Sequence, residues 1–108
     1  RFFMDKFCIK TLKGIVPVEI DKLVVVKVEQ YISTFEFENG QHIHCVEPLK
    51  YIEQKFGNDF IRINRNMLVN INKIEFIDIK KQQLLIKDKF YKISCRNIKI
   101  LMNIYKRI

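Results

Sequence analysis

Two short stretches hold most of the side chains able to grip an anion or read a base edge. FIRINRNMLVNINKI (60–74) alternates apolar and polar residues like a buried strand, yet carries Arg62, Asn64, Arg65, Asn66, Asn70 and Asn72 with no acid among them. Arginine offers a rigid fork of donors that clamps a phosphate or guanine O6/N7, and asparagine pairs with adenine N6/N7. Strand periodicity over 60–64 sends Ile61 and Ile63 to the core and Phe60, Arg62 and Asn64 to the other side. Arg65 and Asn66 then fall at a break before the apolar Met67-Leu68-Val69, where Arg65 has no local acid to pair with. Asn70 and Asn72 read instead as turn formers, a common use of asparagine. The second stretch, SCRNIKI (94–100), places Ser94 as the N-cap of a helix. Free N–H groups at such a terminus favour phosphate, and Arg96 in the first turn meets the positive end of the helix dipole unless an anion sits nearby.

Other reactive residues form no constellation. His42 and His44 are two apart on a strand and share a face, with Cys45 pointing the other way, but nothing at ligand spacing completes a metal site. No nucleophile–base pair and no glycine-rich phosphate loop can be identified. Cys8, Cys45 and Cys95 are odd in number and widely spaced, which suggests reduced thiols and a cytoplasmic location. The reading is therefore of a non-enzyme with no cofactor and no metal.

The elements that must position the two stretches are mostly strands. KFCIKTLKG (6–14) and GIVPVEID (14–21) flank a glycine turn, Pro17 marking an edge or irregular strand. DKLVVVKVE (21–29) is β-branched and buried in character. YISTFEF (31–37) and QHIHCV (41–46) surround Asn39-Gly40, a strong hairpin signal. VEPLKYIEQKF (46–56) has helical spacing at Val46, Leu49, Ile52 and Phe56, with Gly57-Asn58 as its stop. Strands return at 60–64, 74–79, 83–88 and 90–94, with Lys80-Lys81 and Asp88-Lys89 as turns. A last helix over about 95–106 carries Ile98, Leu101, Met102 and Tyr105 on one face. The expectation is a mostly-β domain with two short helices, 46–56 and 95–106.

The chain has 108 residues and 48% hydrophobic content, enough for one domain with a core of its own. It opens at Arg1, so residues 1–6 are read as a linker remnant and 7–108 as the domain. No signal peptide is evident and apolar runs such as LVVV (23–26) are too short to span a bilayer, so no membrane partner is expected. The net charge of +8 is unevenly spread. Residues 60–108 carry twelve Lys/Arg against three Asp/Glu, whereas residues 1–59 carry eight against nine. A basic second half of this kind points to a polyanion, with nucleic acid ahead of a membrane surface. Two other readings fit a basic β domain: single-stranded or RNA binding by exposed aromatics, and a protein-interaction domain with an exposed apolar patch.

FIRINRNMLVNINKIEFID, followed by a hairpin and KISCRNIKIL, resembles the LytTR DNA-binding domain of bacterial response regulators. In that family a phenylalanine, an arginine and a His-Arg-Ser-like step precede Leu-Val-Asn, and a Ser-x-Arg step opens the last helix. The resemblance covers residues 7–107. It implies a compact β fold whose three loops enter successive major grooves of a bent duplex, for transcription control. Arg65 and Arg96 match positions that reach base edges. Asn64, Asn66, Ser94, Asn97 and Lys99 match positions that touch bases or phosphates, Arg62 stands beside them, and Glu29-Gln30-Tyr31 matches the third loop. The chain departs from the family at Asn64, where His is frequent, and at Asn66, where Ser is frequent. Partners implied are double-stranded DNA with repeated promoter sites, a homodimer on DNA, and a receiver domain preceding Arg1.

Overall fold

The computed structural model describes residues 6–108. Residues 1–5 of the expected linker remnant lie outside the described residues. Ten strands and two helices follow in the order β1 (Phe7–Lys10), β2 (Ile15–Val18), β3 (Leu23–Glu29), β4 (Ile32–Phe37), β5 (His42–Cys45), α1 (Leu49–Lys55), β6 (Phe60–Asn64), β7 (Met67–Asn70), β8 (Phe76–Asp78), β9 (Gln83–Ile86), β10 (Lys89–Lys92) and α2 (Cys95–Met102). The mostly-β expectation with two short helices matches this architecture.

The organising unit is a five-stranded antiparallel sheet in the order β5-β4-β3-β7-β6. Both of its faces are covered. On one, Leu23, Val26, Phe35, Phe37, Ile43, Phe60 and Leu68 pack under α1 and the β1–β2 hairpin, with Leu49, Ile52, Phe56 and Ile9 as the covering residues. On the other, Val24, Val25, Ile61, Ile63 and Val69 pack under the β10-β9-β8 sheet and α2, through Leu84, Ile86, Ile93, Ile98 and Leu101. Central β3 is buried on both sides, which is why LVVV shows no alternation. A register shift between Leu23 and Val25 adds to this, since the bulge turns two consecutive valines to the same face.

Three sequence expectations change in detail. Phe60 does lie opposite Ile61 and Ile63, but that side is a second core: its ring centroid is 4.7 Å from that of Phe56. The first helix begins at Leu49 instead of Val46 because the Glu47 carbonyl accepts the Ser33 hydroxyl at 2.6 Å and Pro48 is extended, at φ −64° and ψ 148°. Val46 is left exposed. The second helix ends at Met102, and Tyr105 lies beyond it.

One buried polar residue ties the sheet to its flank. Asn70 is 2% exposed; its Nδ2 donates to the Leu23 carbonyl at 2.9 Å and its Oδ1 accepts from Asn72 N at 3.0 Å. The turn-forming role expected of Asn70 is thus present, joined to a cross-strand bond. At the same end of the sheet Glu38 bonds to the Lys73 ammonium, which holds its carboxyl below the usual carboxylate range despite some desolvation. Asn70→Ala is expected to cost about 1–3 kcal/mol, because a buried carbonyl and a turn N–H lose their partners. Asn72→Ala, an exposed change, is expected to stay within about 0.5 kcal/mol. Urea denaturation checks both, as a lower midpoint at unchanged slope for Asn70→Ala alone.

Candidate nucleic-acid interface

The residues singled out from sequence gather at one end of the five-stranded sheet. The β6–β7 hairpin closes at the Asn64–Met67 pair, so Arg65 and Asn66 form its two-residue tip. β3 runs antiparallel beside β7 and ends next to that tip: Val28 N donates to the Asn66 carbonyl at 2.9 Å. The β3–β4 hairpin closes at Glu29–Ile32, so Gln30 and Tyr31 form a second tip alongside the first. The start of α2 makes a third projection, held there because Ser94 N donates to the Ile63 carbonyl at 2.8 Å. The central sheet and the layer that carries α2 thus bring three separate chain segments to one surface.

Internal bonds divide the candidate residues into holders and free side chains. Asn64 uses both ends of its amide: Nδ2 donates to the Lys92 carbonyl at 2.8 Å and Oδ1 accepts from Asn66 N at 2.8 Å. Arg62 lies inward of the tip, where Nη1 donates to the Arg65 carbonyl at 3.1 Å and Nε stands 3.5 Å from Glu53 of α1. Nε is buried and its contact to Glu53 is an ion pair without hydrogen-bond alignment. Ser94 caps α2 by accepting from Asn97 N at 3.2 Å, while its hydroxyl donates to Asn97 Oδ1. Arg65, Asn66, Arg96 and Lys99 are exposed. Among the described residues, Arg65, Arg96, Lys92 and Lys99 have no ion-pair partner, whereas Lys27, Arg62 and Lys73 each have a glutamate.

The Gln30-Tyr31 tip carries a feature that composition alone does not disclose. Both residues sit at positive φ, 48° and 69°, the geometry of a type I′ turn normally made by Asn-Gly. Tyr31 is 91% exposed. Each left-handed non-glycine residue costs roughly 1–2 kcal/mol, so this tip is held in an uphill conformation. Glu29 is the acid beside this tip. Sequence reasoning reached this loop through family resemblance; its strain is visible only in the backbone.

The histidines occupy the far half of the sheet. His44 Nδ1 and Thr34 Oγ1 are 2.9 Å apart, and His42 is 3.9 Å from Glu36. Among the described residues no three His, Cys, Asp or Glu side chains gather as a metal site, and no helix is long and apolar enough to cross a membrane.

Two hairpin tips and a capped helix start thus present exposed cations at one end of a mostly-β domain, a surface whose charge suits a polyanion. Residues 13–106 match the profile of the LytTr DNA-binding domain. The chain therefore belongs to the LytTR family of DNA-binding domains. Among curated proteins it is 33% identical over 66 residues to the positive alginate biosynthesis regulatory protein of Pseudomonas aeruginosa, a match over 61% of this chain and 26% of that protein's length. A solved structure described as the LytTr DNA-binding domain of a response regulator from Bacillus cereus shares the fold, with a TM-score of 0.77 at 21% identity over 94% of this chain and 96% of that one.

Replacing Gln30-Tyr31 by Asn-Gly is expected to relieve the turn and stabilise the domain by about 1 kcal/mol, since no packed contact is lost at an exposed tip. The urea midpoint should rise; a fall would show that the tip is held by contacts of its side chains.

Proposed function

We propose that this chain binds double-stranded DNA sequence-specifically, inserts its tips into successive major grooves, and serves transcription control as the output part of a response regulator or as a stand-alone regulator. The observation that supports this best is the meeting of the Gln30-Tyr31 tip, the Arg65-Asn66 tip and the α2 start at one sheet end, with exposed cations unpaired there. Arg65 and Arg96 serve as base readers, because the planar guanidinium fork matches guanine O6 and N7 bidentately. Lys99, Asn66 and Asn97 serve the backbone or neighbouring base edges, and Gln30 with Tyr31 supplies the third contact. Arg62, Asn64 and Ser94 act through the tips they hold. Their bonds fix the Arg65 carbonyl, the Asn66 amide and the first turn of α2 before DNA arrives, which lowers the ordering cost of binding.

The larger setting follows the same reading. A receiver domain preceding Arg1, repeated promoter sites and a homodimer on DNA complete the proposal, and a duplex is the expected partner over a single strand. Tyr31 is the aromatic residue at the tips, whereas Phe76 and Phe90 are exposed on the three-stranded sheet instead.

Arg65→Ala or Arg96→Ala is expected to cost about 1–3 kcal/mol on a duplex selected from a random pool and to flatten base preference at one position. If about six phosphates are neutralised, log K against log salt should have a slope of roughly −5. Equal binding of single strand and duplex, or a flat salt response, would contradict the reading.

A further inference from the structure

We propose that the β8–β9 turn, Ile79–Gln82, is a fourth DNA-contacting element, in which Lys80 and Lys81 hold the phosphate backbone beside the α2 start. This rests on the duplex-binding reading above and extends it to residues that sequence spacing placed on a turn elsewhere.

The turn is fastened to the interface by bonds from its last residue. The Gln82 carbonyl accepts from Ile93 N at 2.9 Å, and its Nε2 donates to Cys95 Sγ at 3.5 Å. Ile93 and Cys95 flank Ser94, whose own N–H is bonded to Ile63 at the end of β6. Four segments therefore stand side by side at this end of the molecule: the Gln30-Tyr31 tip, the Arg65-Asn66 tip, the α2 start and the 79–82 turn. The far end of the same hairpin sheet, at Lys87, bonds instead to the Glu38 carbonyl at the opposite end of the five-stranded sheet.

The turn is also preformed. Asp78 Oδ1 accepts from Lys81 N at 3.0 Å, and Gln82 is held at a positive φ of 52°. A left-handed glutamine is an uphill conformation that its cross-links maintain. The carboxylate of Asp78, the acid of this turn, is directed to the turn backbone, and Lys80 and Lys81 are exposed without an ion-pair partner among the described residues. Lysine is a point charge on a flexible stem and suits phosphate better than a base edge. The contact is accordingly independent of sequence and sets register and affinity, not base preference.

The test is anisotropy of a fluorescein-labelled mixed-sequence duplex across a salt series. It compares wild type with Lys80→Ala/Lys81→Ala and with Lys22→Ala/Lys89→Ala, which removes equal charge at the opposite end. The slope of log K against log salt should become shallower by about 2 for the turn variant, and stay near wild type for the control. Lys80→Arg/Lys81→Arg should restore the wild-type slope, which separates charge loss from misfolding. The inference is overturned if wild type is steep and the turn variant equally steep, or if the control loses as much as the turn variant. A flat wild-type curve would bring down the duplex-binding reading itself, and the turn with it.

Discussion

The hydrogen bond from Ser94 N to the Ile63 carbonyl, with its companion from Asn64 Nδ2 to the Lys92 carbonyl, joins two of the three layers of this domain where they meet the proposed ligand. One layer is the five-stranded sheet and the other is the three-stranded sheet with α2. Each layer alone would carry only part of the interface: two hairpin tips on one, a helix start and a turn on the other. The apolar cluster around Ile63, Leu84, Ile93 and Leu101, all essentially inaccessible to solvent, presses the layers together just inside these bonds. Hydrophobic burial supplies the attraction, and the two directional bonds set the register between layers.

This arrangement explains why the 60–74 stretch is so rich in amides and guanidinium groups. Three tasks are interleaved along it. Ile61, Ile63, Leu68 and Val69 fill the core, and Asn70 ties β7 to Leu23. Arg62 and Asn64 brace the tip from inside, and Arg65 with Asn66 remain exposed. A tip braced in this way presents Arg65 with no ion pair of its own among the described residues. Among the described residues the cations paired with a glutamate are Lys27, Arg62 and Lys73, each only partly exposed. Family membership makes DNA the class of ligand, and under the proposed contact through the tips, bracing them beforehand lowers the ordering cost of binding.

Much of the fold was legible because local chemistry and long-range packing agree. Asn39-Gly40 marked a hairpin, Gly57-Asn58 a helix stop, Ser94 a cap and alternating β-branched residues the strands. The second core around Phe60 was not legible, since the alternation that hides Ile61 and Ile63 says nothing about what covers the other face. The β7 strand escaped for a related reason: Met67-Leu68-Val69-Asn70 is short and non-alternating because it is an interior strand of a sheet covered on both sides. The left-handed Gln30-Tyr31 tip gave no signal, because residue types that ordinarily avoid positive φ occupy it. Candidate residues were chosen by chemistry, so residues that hold and residues that are free looked alike; hydrogen-bond partners separate Arg62 and Asn64 from Arg65. The place of Lys80-Lys81 depended on a contact between Gln82 and Ile93 that no spacing rule anticipates.

On the proposed function, one end of the sheet, assembled from segments far apart in sequence, is the surface that meets DNA. Backbone amide shifts recorded while the protein is titrated with a duplex test it most directly. The largest changes are expected together on Gln30–Tyr31, Arg65–Asn66, Ile79–Gln82 and Ser94–Asn97, with Glu38–Gly40, Gly57–Asp59 and Lys87–Asp88 at the opposite end nearly still. Changes centred on that opposite end, or on the outer face around Phe76 and Phe90, would contradict it.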